Sequence, residues 1–117
     1  MHNFHNLQIW TDAIALTDMI YHITQSFPAE ERFGLISQMQ RAAVSIPSNI
    51  AEGSGRDSNK DFIHFLNISL GSSYELETQV IIAERRAYIT AEQAQSICTC
   101  IASLQKRIQT FKQHINQ

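Results

Sequence analysis

Glycine and proline are scarce in this chain. Four glycines and two prolines in 117 residues supply little of the turn chemistry that a many-stranded all-β fold needs, so such a fold is disfavoured. Cysteine is scarcer still. Cys98 and Cys100 stand two apart, a spacing that points them to different sides of a helix, and two thiols do not complete a zinc site. They read as reduced thiols of a cytoplasmic protein. No uncharged run approaches the length of a membrane span. The first residues lack a basic n-region, and Asp12 and Asp18 interrupt the apolar residues, so no signal peptide is expected. A formal net charge of -2 with a pI near 6.2 does not announce a nucleic-acid binder; a local basic patch stays open.

What is present is apolar and periodic. Hydrophobic residues make up 44% and charged residues 17%, the balance of a globular chain, and the length points to one domain over residues 1–117. A chain of this size buries roughly two thirds of the surface it exposes when unfolded. At 100° per residue, Ile9, Ala13, Leu16, Ile20 and Ile23 form one stripe of a first helix from about Leu7 to Gln25. Trp10, Ile14 and Tyr21 widen its apolar arc to nearly half the circumference. Ser26-Phe27-Pro28 ends it. A third helix starts at Ser58, with Asp61 three residues on, and runs to about Arg86. Phe62, Phe65, Leu66, Leu70, Ser73, Leu76, Val80 and Ile81 share its face, while Ser69, Gly71, Ser72 and Ser73 thin its middle for a close neighbour. A fourth helix opens on a Thr90/Gln93 capping box with Ile89 and Ala94 as hydrophobic staple. Ile97, Ile101, Leu104, Ile108, Phe111 and Ile115 give it a coiled-coil seam.

The second helix is the most distinctive. It begins between Pro28 and Leu35, with Glu30 and Glu31 at the positive end of its dipole, and closes at Gly53, expected as a left-handed residue after the last turn. Leu35, Met39, Ala42, Ala43, Ile46 and Ile50 fall on one face. Gln38, Arg41, Ser45, Asn49 and Glu52 fall on a wholly polar stripe. Pro47 lies inside this pattern, where its ring meets the carbonyl of Ala43 and removes a helix bond at a cost of roughly 3 kcal/mol. The apolar face resumes in register at Ile50, which predicts a kink without a break. No alternating strand pattern appears. Four long helices on short links fit an all-α, antiparallel up-down-up-down four-helix bundle. The excess apolar arc on the first and third helices, with Trp10 and Tyr21 at its edge, predicts self-association, and cyclic symmetry closes such contacts. The expected unit is therefore the protomer of a cyclic homo-oligomer.

Phe27-Pro28, Phe33-Gly34-Leu35, the run from Gln38 and Arg41-Ala42-Ala43 through Ser45-Ile46-Pro47 and Asn49-Ile50-Ala51-Glu52-Gly53, and Gly71-Ser72 with Glu75-Leu76-Glu77-Thr78 resemble a known family. It is the bacterial four-helix-bundle family first noted in proteins encoded by intervening sequences of large-subunit ribosomal RNA genes. The accessory variability determinants of diversity-generating retroelements belong to it as well. The resemblance covers essentially the whole chain. It implies a homopentameric barrel of four-helix protomers without enzymatic activity. For the retroelement members it also implies binding of nucleic acid and of a reverse transcriptase.

The polar stripe of Gln38, Arg41, Ser45, Asn49 and Glu52 is the first candidate site. A solvated helix face is the ordinary reading of such a stripe. With no lysine and one residue of each charge, it fits better as a hydrogen-bonded seam against a neighbouring helix or subunit. Glu77 and Glu84 project within the apolar arc of the third helix; a carboxylate there needs a partner, and Arg41 offers the forked donors that suit it. The alternative is that both reach water at the rim. For nucleic acid, the candidate phosphate contacts are Arg56, Lys60, Arg85, Arg86, Lys106 and Arg107. Arg56 and Lys60 flank the start of the third helix, whose free amides attract anions, although that turn reads first as a capped helix link. Arg85 and Arg86 join Lys106, Arg107 and Lys112 in one cluster only if the last two helices bring them level, and their positions along those helices argue against it. Metal ligation of the bundle type uses Glu-x-x-His pairs, which the sequence lacks; His2, His5, His22, His64 and His114 are scattered. No Gly-x-Ser-x-Gly and no Gly-x-x-x-x-Gly-Lys occurs. Glu77 and Glu84 as an acid/base pair would lie two helical turns apart with no cleft implied.

These observations lead to a non-catalytic bundle with no cofactor and no metal. It is expected to associate with itself and to serve as a scaffold for a protein partner, for which the resemblance implies a reverse-transcriptase-type enzyme. The alternative is an RNA- or DNA-binding protein with its basic residues on the bundle exterior. No membrane association is expected.

Overall fold

The computed structural model describes residues 2–116. Four α-helices account for most of them: α1 (Gln8–Thr24), α2 (Leu35–Ser54), α3 (Asn59–Arg85) and α4 (Ala91–Ile115). Among the described residues there is no strand. Two short 3-10 turns, Phe4–Asn6 and Ala29–Glu31, precede α1 and α2. The molecule measures 44 × 24 × 20 Å, an elongated helical body.

Several helix ends have a local cause. Ser58 accepts from the Asp61 N–H at 3.1 Å, and at Thr90 both arms of the capping box form, 3.1 Å from the Gln93 N–H and 2.9 Å back to Gln93 Oε1. These bonds occupy amides that a helix start leaves orphaned. α2 starts at Leu35, the late limit of the expected range, because a 3-10 turn first takes up Ala29–Glu31. Gly34 has no side chain to cap with. Glu31 does the work instead: its Oε1 accepts from the Leu35 N–H (3.1 Å) and its Oε2 from the Tyr88 hydroxyl (2.8 Å). The last residues of α3 close through paired bonds, Ala87 N–H to Glu84 O and Tyr88 N–H to Ala83 O, both 2.9 Å. This Schellman closure needs a left-handed residue, and here it is Ala87, at φ 61°.

Gly53 corrects the sequence reading. No glycine has positive φ among the described residues, and Gly53 is a buried residue inside α2. A Cβ built there would stand 2.7 Å from Phe65 Cβ and 2.8 Å from the Phe62 ring. The residue is glycine because α3 crosses against it, a packing demand that resembles a cap signal in one dimension. Pro47 does not break α2, which runs unbroken from Leu35 to Ser54. The Ala43 carbonyl that the proline leaves without its helical donor lies 3.2 Å from the Thr17 hydroxyl of α1.

The core is one apolar cluster. Ala13, Leu16 and Ile20 of α1, Met39, Ile46 and Ile50 of α2, Phe62, Leu66, Leu76 and Val80 of α3, and Ile97, Ile101, Leu104 and Ile108 of α4 are all buried. The apolar stripes therefore face inward largely as their spacing requires. Phe65 and Ile23 are only half-buried, and Ile81 is exposed. The buried small residues of α3 let α2 approach: Ser69 Oγ donates to Ile46 O at 2.9 Å. Gly71 does not take part, since nothing lies within 4 Å of a Cβ placed there. Hydrogen bonds near the helix ends tie neighbouring elements together. The His2 N–H donates to Ser54 O (2.8 Å), Gln40 Nε2 to Thr24 Oγ1 (3.2 Å) and Asn59 Nδ2 to Ile115 O (3.0 Å).

Candidate interaction site

The polar stripe of α2 divides in two. Ser45 and Asn49 are half-buried, whereas Gln38, Arg41 and Glu52 are exposed. The Ser45 and Ser72 hydroxyls lie 2.8 Å apart across the α2–α3 contact, and Asn49 Nδ2 donates back to Ser45 O (2.8 Å) and Oγ (3.0 Å). Seven residues beyond Ser72, and so on the same side of α3, stands Gln79, which the periodicity passed over as a polar residue. It is 5% exposed, and its Oε1 has no hydrogen-bond partner among the described residues. A buried orphan oxygen of this kind costs stability. A lone glutamine between Thr78 and Val80 carries no sequence signal that would have marked it.

Within the chain, the pairing of Arg41 with Glu77 or Glu84 does not form. Among the described residues the ion pairs are Arg56–Glu52 and Arg107–Asp12. Glu77 instead accepts from Gln105 Nε2 of α4 at 3.2 Å, and the same amide nitrogen lies 3.1 Å from Ser73 Oγ. Glu84 is exposed. The two carboxylates line the α4 side of α3, while Arg41 sits on the outer side of α2; helical spacing alone does not give that azimuth. Burial first, and then the negative charges of Glu77 and Glu84, push the Cys98 thiol up, which keeps it protonated and a poor nucleophile.

The basic residues are likewise separated. Arg56 is paired with Glu52 at 3.5 Å and lies over the Phe65 ring, 4.7 Å from its centroid. Arg107 is bound to Asp12 of α1. Arg85 and Arg86 end α3, beside the Tyr88–Glu31 bond, whereas Lys106 and Arg107 lie in the second half of α4. Lys60 and Lys112 line one shallow hollow, and Lys112 Nζ also donates to Asn67 Oδ1 at 2.9 Å. Among the described residues, no group of three or more His, Cys, Asp or Glu side chains could hold a metal ion, and no helix is long and apolar enough to cross a membrane.

Apolar surface remains outside the core. Ile14, Tyr21, Val44, Ile68, Tyr74, Ile81 and Ile82 are exposed. Phe33 is 88% exposed, with the Arg32 guanidinium 5.3 Å from its ring centroid. Trp10, Ile14, Val44 and Pro47 line a shallow hollow between α1 and α2. Ile68 and Ile82 project from α3 on either side of the bare Gly71.

An all-α protein of four helices, with a full core and apolar residues left on its outer faces, is the class that these features define. The chain belongs to the 23S rRNA-intervening sequence protein family, whose model matches residues 5–110. It is also similar to a crystal structure, at 1.70 Å, of a protein with unknown function from the S23 ribosomal protein family of Bacteroides thetaiotaomicron. The two share 28% identity and superpose with a TM-score of 0.82, over 89% of this chain and 97% of that one. None of the curated proteins matches the chain.

Proposed function

We propose that this chain is a non-catalytic, self-associating helical bundle that serves in the cytoplasm as an oligomeric scaffold for a protein partner. The family resemblance suggests a reverse-transcriptase-type partner and a ring of five. The bundle is antiparallel, up-down-up-down; the pairings of His2 with Ser54, Thr24 with Gln40 and Asn59 with Ile115 support that order. The non-catalytic part rests on the sequence, which holds none of the nucleophile, phosphate-cradling or metal patterns named above.

The observation that carries the reading is apolar surface left over once the core is full. Ile14 and Val44 on α1–α2, and Ile68 and Ile82 on one side of α3, each stay more than a third exposed. Grouped exposed apolar residues mark contact surfaces. The two groups are unlike, and unlike surfaces that meet head to tail build a ring when the rotation closes and a filament when it does not; a ring is the closed form. The exposed half of the polar stripe, Gln38, Arg41 and Glu52, lies on α2 beside Val44 and would supply the polar rim. The test uses Val44→Glu and Ile82→Glu, one on each surface, with sedimentation of each alone and of the mixture. Each variant alone should lose the full assembly, and the mixture should form a dimer through its two intact surfaces. Assemblies of wild-type size in both variants would refute the reading.

A second reading, RNA binding, is favoured by one feature: after Glu92 the sequence contains no Asp or Glu, and it carries Lys106, Arg107 and Lys112. Lys60, Lys106, Arg85 and Arg86 are its candidate phosphate contacts, Arg56 and Arg107 being engaged elsewhere. Binding through them would weaken steeply with salt as counterions are released. A low-salt titration with duplex and single-stranded RNA and DNA tests it, and no shift with any of them removes it.

A further inference from the structure

The α1–α4 seam opens into a groove toward the C-terminal end of α4, with a volume of about 680 Å3. Leu7, just before α1, Ile9 of α1 and Phe111 of α4 form its floor, and Lys106, Arg107 and His114 stand along its wall. No acidic side chain lines it. The one carboxylate nearby, Asp12, lies one turn further along α1 and already binds Arg107. Lys106 is in no ion pair among the described residues. The α4 wall runs from Ser103 to His114, about 16 Å at the helical rise, which is three turns.

An apolar floor beneath a one-signed basic wall is complementary to a segment that is apolar on one side and acidic at its edge. We propose that this groove docks an acidic amphipathic helix of a partner protein, with about three turns seated between α1 and α4. Leucine-like anchors at helical spacing would cover Leu7, Ile9 and Phe111, and its carboxylates would face Lys106 and His114. A nucleic acid fits less well. Phe111 is the one Phe, Tyr or Trp among the residues that line the groove, so there is no row of rings on which successive bases could stack, and phosphates would lie against an apolar floor. The inference rests on the reading of the chain as an interaction module and names the chemistry of what it would hold.

The probe is a fluorescent synthetic helix of about 14 residues with leucines along one face and flanking glutamates; its control carries lysines in place of the glutamates. Both are titrated with the full chain. The acidic helix should bind and the basic one should not. Lys106→Glu should weaken the acidic helix about tenfold and improve the basic one. Equal binding of both helices, or of neither, overturns the proposal. So does displacement of the bound helix by duplex RNA, which would make the groove a nucleic-acid surface. Light scattering on Lys106→Glu should give the wild-type mass; a changed mass would make the occupant a second copy of this chain and overturn the proposal. Failure of the helix to bind an otherwise intact oligomer removes this inference and leaves the scaffold reading in place.

Discussion

The Thr17 hydroxyl lies 3.2 Å from the Ala43 carbonyl oxygen, the one acceptor in α2 whose helical donor would have been the nitrogen of Pro47. The same hydroxyl is 2.8 Å from Ala13 O in its own helix, so its single proton is shared between the two. This relationship explains how a proline sits in the middle of α2 without breaking it: the freed carbonyl is answered from α1 instead of being left buried and unpaired.

The prediction is a coupling. Thr17→Val removes the hydroxyl at nearly constant volume and should cost about 1 kcal/mol. In a Pro47→Ala background, residue 47 regains its N–H and the cost of Thr17→Val should shrink by about 0.5 kcal/mol or more. Denaturant melts of the four proteins measure it. Strictly additive effects would mean that Thr17 does not serve the proline.

Two glycines should respond in opposite ways. Gly53→Ala drives a methyl into Phe62 and Phe65 and should destabilise by about 1–3 kcal/mol. Gly71→Ala meets no neighbour, so the protomer should gain about 1 kcal/mol from helix propensity. If Gly71 lies in a subunit contact, that gain should come with a weakened assembly, which melting and sedimentation on the same sample separate.

Ala87 holds a left-handed conformation at φ 61°, which costs an L-residue roughly 1–2 kcal/mol. Ala87→Gly should relieve it and stabilise by about 1 kcal/mol after the added freedom of the unfolded chain is deducted. A lower midpoint in a thermal or urea melt would contradict this.

The helix composition and ends were legible because their causes are local. The Ser58 and Thr90 caps, the α4 seam and the register of α2 across Pro47 each follow from residues within a few positions. Gly53 was legible as important but not for the right reason, since a glycine that ends a helix and a glycine that admits a neighbouring helix look alike in sequence. The pairing imagined for Arg41 failed for a related cause. Periodicity gives the angle of a side chain about its own helix, not which neighbour stands at that angle, and Gln105 of α4 took Glu77. Gln79 and the Glu31–Tyr88 bond, which joins residues 57 apart, had no local signature.

That bond gives a pH dependence. The Leu35 N–H first, then the Tyr88 hydroxyl, and more distantly the Arg86 charge, hold the Glu31 carboxyl below its ordinary value. A carboxylate whose pKa is lower in the folded state contributes stability above its unfolded pKa, and that contribution is lost as pH falls through the folded value. Stability should therefore drop on acidification below the usual glutamate range, and Glu31→Gln should flatten that part of the curve. Parallel slopes for the two proteins in acid would contradict the assignment.

The central claim is that the exposed apolar faces of α1–α2 and α3 are covered by other copies of this chain. Molar mass by light scattering, followed through a dilution series at micromolar concentration, tests it most directly. The account predicts a mass that is a fixed multiple of the 13.3 kDa chain and holds on dilution. A species that stays at the mass of one chain throughout would contradict it.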